Sequence, residues 1–284
     1  MLTAVSSSSL HHGAQLLHPN LFQPDSTFFT MEAVDEYTKI ESHFIRGRNA
    51  LMVSGNFSAI YTDYYLHLMD NKLRHKEQLD TLLKEQLSFL TLHLVARPWA
   101  ETVAWTVNLR APRVNVFVTG GSTEESITGH LFTEGVKEAP RSTLHSQTLV
   151  AGAEGRRSAV ELEDNDPANW IETYYTQSEQ RPARAFRLPD EKFVLIAAQP
   201  DCDIEWLNEL TDEKVATLLD DEAHKLLETR RFRFHCGCSP ERFLPSLAQF
   251  KGNPDALFQG DAGLEIICPR CGAKHIITPD MFDE

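Results

Sequence analysis

An α+β fold is what this sequence predicts: an N-terminal sheet-and-helix core, a helical linker and a small C-terminal four-cysteine module. Three observations carry that reading. Apolar residues recur with helical spacing at Leu79, Leu82, Leu83, Leu87, Leu90 and Leu94. After Pro98 the period drops to two, with Val103, Trp105, Val107 and Leu109 alternating with polar residues as on a half-buried strand. Four of the five cysteines then gather near the C-terminus, in His235-Cys236-Gly237-Cys238 and in Cys268-Pro269-Arg270-Cys271-Gly272.

Residues 1–34 read as an unstructured extension. They hold Ser6 to Ser9, His11, His12 and His18, and lack the basic start of a secretory signal and the arginines of a transit peptide. An over-extended start, with Met31 as the natural initiator, accounts for them equally. Residues 35–199 form the core. Ser54-Gly55-Asn56 signals a turn, and the leucine stripe predicts an amphipathic helix over 79–94. Strands follow over 114–118 and 127–136, with Gly120-Gly121-Ser122 as the hairpin turn between them. That Gly-Gly pair is no phosphate loop, because no Lys-Ser/Thr follows it. Asp166 caps and Pro167 opens a helix whose apolar face is Trp170, Ile171, Tyr174 and Tyr175. One more buried strand spans 192–198.

Residues 200–233 are strongly acidic and carry a stripe of Val215, Leu218, Leu219, Leu226 and Leu227, with Thr211 as an N-cap. They read as a helical linker, marginal alone and in need of a surface. Residues 234–284 form the cysteine module. A short helix opens at Ser239-Pro240 with Phe243, Leu244 and Leu247 facing inward. Strands over 264–267 and 275–277 enter and leave the second clip.

Composition excludes several functions. A chain of 284 residues, 42% apolar, suits about two domains with a proper core. A net charge of −14 opposes nucleic-acid binding. No apolar run approaches the roughly 20 residues that span a bilayer, so no membrane partner is expected. Cysteine is too sparse for a secreted disulfide scaffold, which points to a reducing, cytoplasmic compartment. HExxH, P-loop, nucleophile-elbow and paired-carboxylate patterns are all missing, so no catalytic residue is assigned and no enzyme is expected.

Two close pairs of thiolates fit tetrahedral zinc. Cys236, Cys238, Cys268 and Cys271 are the expected metal ligands, and zinc the expected cofactor. Four ligands close the shell, which disfavours hydrolysis at the metal, and His235 and His275 read as neighbours rather than ligands. Gly272 suits a metal knuckle with positive φ. Zinc would supply about 10–16 kcal/mol of apparent folding free energy to so small a core. Thiolates are also what oxidants attack, and Arg231, Arg233, His235, Arg270 and Lys274 add positive potential nearby. The residues leave two main functions open: a zinc-ribbon adaptor with purely structural metal, and a redox-controlled unfolding switch. A nucleic-acid-binding ribbon is disfavoured by the charge.

The clips and the interval between them resemble the zinc centre of the heat shock protein 33 family, the redox-regulated holdase chaperones. Tyr174-Tyr175-Thr176-Gln177-Ser178-Glu179-Gln180-Arg181-Pro182-Ala183-Arg184 is similar to the family's aromatic-rich helix end followed by Ser-Glu-Gln-x-Pro. Phe44-Ile45-Arg46-Gly47 resembles its N-terminal Val-Arg-Gly segment. The resemblance implies an ATP-independent holdase that is zinc-bound, monomeric and off when reduced. On oxidation it implies one disulfide joining Cys236 to Cys238 and another joining Cys268 to Cys271. Zinc would leave, module and linker unfold, and a homodimer hold unfolded or misfolded client proteins on exposed apolar surface. Four features depart from the family's pattern: a shorter interval from Arg184 to Cys236, a divergent first domain, a stretch from Met1 to Thr30 without a counterpart, and the extra Cys202, read as an inert thiol.

Overall fold

The computed structural model describes residues 37–253 and 255–282, so the extension expected at residues 1–34 lies outside the described residues. A hairpin of β1 (Thr38–Ile45) and β2 (Ala50–Asn56) leads into α1 (Ser58–Asp70) and α2 (Glu77–Val95). The leucine stripe lies on α2, but the helix is more deeply placed than an amphipathic one. Every residue from 86 to 95 is buried. The Gln86 amide is buried without a hydrogen-bond partner, while the other polar residues of the stretch are short or bonded. Ser88 meets the Tyr61 hydroxyl at 2.6 Å, Thr91 donates to the Leu87 carbonyl, and His93 Nδ1 lies 3.0 Å from the Tyr175 hydroxyl.

Five antiparallel strands follow: β3 (Glu101–Leu109), β4 (Val114–Gly121), β5 (Ser126–Phe132), β6 (Ser142–Val150) and β7 (Arg156–Leu162). Val103, Trp105, Val107 and Leu109 are buried with the α2 leucines, as their alternation predicts. The turn expected at Gly120-Gly121-Ser122 falls later, because both glycines belong to the end of β4. A Cβ on Gly120 would lie 2.7 Å from both Ile127 Cδ1 and Leu94 Cδ1, so glycine there lets α2 rest on the strand. Ser54 to Asn56 likewise end β2 rather than form a turn.

In α3 (Pro167–Gln177), Asp166 caps as expected, accepting from the Ala168 amide at 3.0 Å. β8 (Ala183–Leu188) and β9 (Lys192–Ala198) complete the core. The Ser178-Glu179-Gln180 segment stops α3. There the Glu179 carboxylate pairs with Arg97 at the end of α2 and accepts from the Tyr174 hydroxyl at 3.2 Å.

The helical linker expected over residues 200–233 is helical only in part. Three short helices, α4 (Ile204–Asn208), α5 (Asp212–Ala216) and α6 (Leu218–Asp221), are followed by an eleven-residue strand, β10 (His224–Phe234). The adjacent Leu226 and Leu227 extend the apparent helical stripe. In the fold, a bulge opposite Ser42 and His43 leaves both about half exposed. The deciding pattern is the alternation of buried Arg230, Phe232 and Phe234 with Thr229, Arg231 and Arg233. Pairing along β1 outweighs local helix preference.

That strand has a particular place. The sheet order is β7-β6-β3-β4-β5-β10-β1-β2-β9-β8. β10 runs antiparallel to β1 throughout but pairs with β5 only through Arg233 and Phe234, in parallel, with the His235 amide just beyond it donating to the Ile127 carbonyl at 2.9 Å. It therefore stitches two half-sheets together. One face of the β1-β2-β9-β8 half gives Val53, Leu195 and Ala197 to the α2 core. The other gives Met52, Val194 and Ile196 to a second cluster, closed by Leu207, Leu210, Val215 and Leu218 from α4 to α6. These three helices form a cover over an apolar sheet face.

The C-terminal module starts with 3-10 turns at Pro240–Arg242 and Leu244–Phe250, where a short helix was expected, and continues through α7 (Asp255–Phe258). β11 (Leu264–Ile267) and β12 (Lys274–Ile277) make a separate antiparallel hairpin. Among the described residues no helix is long and apolar enough to cross a membrane.

Candidate metal centre

The first clip follows β10 directly, and the second occupies the β11–β12 turn. Both turns need glycine: Gly237 has φ +63° and Gly272 φ +77°. In the second, the Cys268 amide donates to the Ala273 carbonyl at 2.7 Å and the Gly272 amide to the Cys268 carbonyl at 2.8 Å. This knuckle folds both sulfurs to one side.

All four sulfurs lie within 4.8 Å of one another. Cys236 Sγ is 3.7 Å from Cys268 Sγ, and Cys238 Sγ is 3.5 Å from Cys271 Sγ. A tetrahedral zinc with Zn–S bonds of about 2.3 Å sets its sulfurs about 3.8 Å apart, so the spacing fits that ion. The five cysteines are all free thiols.

The electrostatics make the same demand. Cys268 is held far below the usual thiol range, first by bonds from Cys236 and Cys271, with help from the amides of Arg270 and Cys271. Cys271 is pushed far up by Cys236 and Cys268, and Cys238 is raised to about 12 by burial and by Cys236. Burial and the mutual repulsion of adjacent thiolates oppose ionisation of the whole set. All four become thiolates together only around a cation, which is what a divalent metal supplies.

The surroundings match the expectation in part. His275 Nε2 sits 3.1 Å from Cys238 Sγ, outside the ligand set. Burial first, then Arg233, Arg242 and Arg270, lowers the pKa of His235, so these three guanidiniums stand near the first clip. Lys274 turns instead to Glu265 at 2.9 Å, and Arg231 lies in β10 opposite Lys39. Cys202 is remote from the four, half-buried at the edge of the cover cluster, where burial raises its pKa.

Two residues that hold the module to the core carried no sequence signal. His67 on α1 accepts at Nδ1 from Asn71 and donates through Nε2 to the Cys271 carbonyl at 2.9 Å. His130 on β5 lies where a Cβ on Gly272 would fall, 2.5 Å from its Cε1. Burial first lowers the pKa of His130 to about 4, so its ring is neutral. The Phe234 ring packs 5.3 Å from that of His67 and 5.5 Å from that of Tyr64. The interaction between His67 and Cys271 spans 204 positions, beyond any local pattern.

Comparison with known proteins bears on the same segment. Residues 190–278 match the family described as Hsp33 protein. The 33 kDa chaperonin of Lactobacillus delbrueckii subsp. bulgaricus is 30% identical over 98 residues, 34% of this chain and 33% of that protein. Its counterpart from Streptococcus gordonii is 40% identical over 71 residues, 25% of this chain and 24% of that one. Residues 190–278 thus carry the chain's similarity to the Hsp33 family. The matches span about a quarter to a third of the length of these curated Hsp33 relatives. The fold reaches further. The crystal structure of the 33 kDa chaperonin (heat shock protein 33 homolog) from Thermotoga maritima superposes with a TM-score of 0.63, over 87% of this chain and 96% of that one, at 13% identity. This likeness of fold thus takes in the core as well as the cysteine module.

Proposed function

We propose that this protein is a redox-regulated, ATP-independent holdase chaperone of the cytoplasm, with zinc on Cys236, Cys238, Cys268 and Cys271. The observation that carries the reading is the continuity of three parts in one segment. Helices α4 to α6 cover an apolar sheet face, β10 stitches the sheet, and Cys236 follows β10 with only His235 between. The Hsp33 match at residues 190–278 takes in all three. Zinc, when bound, would hold the four sulfurs as thiolates and supply most of the module's stability.

Oxidation by peroxide would take two electrons from each thiol pair, joining Cys236 to Cys238 and Cys268 to Cys271, and remove the ligand set. The module would then lose its staple, and β10 its hold on β5 through Arg233, Phe234 and His235. Release of the cover would bare Met52, Phe186, Val194 and Ile196 for unfolded or misfolded clients. The resting form is read as a monomer and the oxidised form as a homodimer.

The test treats purified zinc-loaded protein with peroxide at mild heat. Zinc release and suppression of aggregation of a chemically unfolded client are followed together. Both should rise in parallel. Zinc loss without holdase activity would leave the structural-zinc adaptor as the better reading. Zinc that stays bound under strong oxidant would remove the switch altogether.

A further inference from the structure

Arg184 Nη1 donates to the Asn208 carbonyl of the cover at 3.0 Å, but among the described residues the attachment that reaches both ends of the cover is another arginine. Arg48 lies at the tip of the β1–β2 hairpin. Its Nη1 donates to Asp203 Oδ2 at 2.8 Å, and its Nε donates to Glu222 Oε1 at 2.9 Å. Asp203 is the N-cap of α4, with its other oxygen accepting from the Trp206 amide, and Glu222 is the C-cap of α6. One side chain thus grips the first and last residues of the cover. The guanidinium also stands 5.5 Å from the centre of the Trp206 ring. The hairpin backbone repeats the grip: the Asp203 amide donates to the Arg48 carbonyl at 3.0 Å, and the Arg46 amide to the Ala223 carbonyl at 2.7 Å.

The cover needs such a grip. Its helices have five, five and four residues, too short to persist alone. Between Asp201 and Glu222 stand nine carboxylates and one cation, Lys214, so the segment repels itself. Arg48 meets two of those carboxylates and holds both ends of the segment at one point. Apolar contact by Leu207, Leu210, Val215 and Leu218 supplies the rest.

We infer that Arg48 is the positioning residue that keeps the acidic cover closed on the apolar sheet face, independently of the metal. This rests on the holdase reading, in which that face is where clients bind. Each pair is partly exposed, so each is modest, but they act on one small unit. Losing both should raise the population of the open cover about tenfold.

The test compares hydrogen exchange in full-length, reduced, zinc-loaded wild type with Arg48→Ala, Arg48→Lys and Glu222→Gln. Arg48→Ala should speed exchange of residues 204–221 about tenfold, leave α2 protected and leave zinc bound. Lysine, a single point donor, should restore protection in part, and Glu222→Gln should give a smaller increase. Added salt should speed cover exchange in wild type and do less in Arg48→Ala. Unchanged cover exchange in Arg48→Ala would overturn the inference, as would an equal rise across the whole sheet. Should Arg48→Ala fail to fold, Glu222→Gln with the salt series decides alone. Client suppression separates the two readings. A cover that opens in Arg48→Ala without any holdase activity counts against the chaperone reading and leaves the clamp standing. An unmoved cover in Arg48→Ala, with oxidised wild type still active, does the reverse.

Discussion

The core around α2 and the cysteine module solve the same problem by different means. In the core, Phe57, Phe89, Trp105 and Trp170 are each at most 1% exposed, and both faces of the β1-β2-β9-β8 half-sheet are packed. Among the described residues of the module only Phe258, Ile277 and Phe282 form a buried apolar cluster, and Ile267 and Ile276 are 52% and 53% exposed. The remaining buried group is Cys268, Cys271 and Ala273. A module with so few buried side chains lacks the apolar area to offset its chain entropy. On the proposed zinc reading its stability lies in the sulfurs and is chemically removable, whereas that of the core is not.

The largest expected effect breaks the comparison open at the metal. A strong zinc chelator under reducing conditions should remove about 10–16 kcal/mol of apparent stabilisation from the module. Amides of residues 264–277 should then exchange freely while those of α2 stay protected. Loss of protection in α2 at the same moment would mean that the two regions form one cooperative unit.

A smaller effect acts from the other side. Leu87 is fully buried in the middle of α2, and Leu87→Ala should cost about 2–5 kcal/mol in the denaturant unfolding of the core. Zinc retention at 25 °C should not change. Easier zinc loss in that variant would show the core lending stability to the module through the contacts of His67 and His130.

The smallest effect is a pH dependence confined to the core. Burial first, then the charges of Arg97, Arg181 and Arg156, holds the His93 pKa well below its ordinary 6.5. As pH falls below 6.5 the unfolded chain takes up a proton that folded His93 refuses. The contribution of His93 is therefore full above that pH and declines below it, by about 1.4 kcal/mol per pH unit. Denaturant unfolding at pH 7, 6 and 5 should show this slope added to one of the same sign from His130, and His93→Gln should lessen the total. A slope unchanged in His93→Gln would assign the dependence to other groups.

The site was legible in the sequence to the extent that it is local. Cys236-Gly237-Cys238 and Cys268-Pro269-Arg270-Cys271-Gly272 are short clips whose geometry follows from their own spacing. The cap at Asp166-Pro167 and the strand at 192–198 were legible for the same reason. The grip of Arg48 on Asp203 and Glu222, and the reach of His67 to the Cys271 carbonyl, link residues far apart in the chain, and nothing near either residue announces them. Residues 224–234 misread for a related reason. Leu226 and Leu227 prolong a helical stripe, and only the unpaired edge of β1 turns that stretch into a strand.

The sequence by itself determined an α+β core, a central helix over residues 79–94 and a four-cysteine cluster, because periodicity and clip spacing act over a few residues. Tertiary structure alone decided that α2 is buried on all sides over its last ten residues, that β10 joins the half-sheets, and that the acidic segment closes over an apolar face. Those outcomes depend on which surfaces meet, and burial and strand pairing are set by partners that the local sequence does not contain.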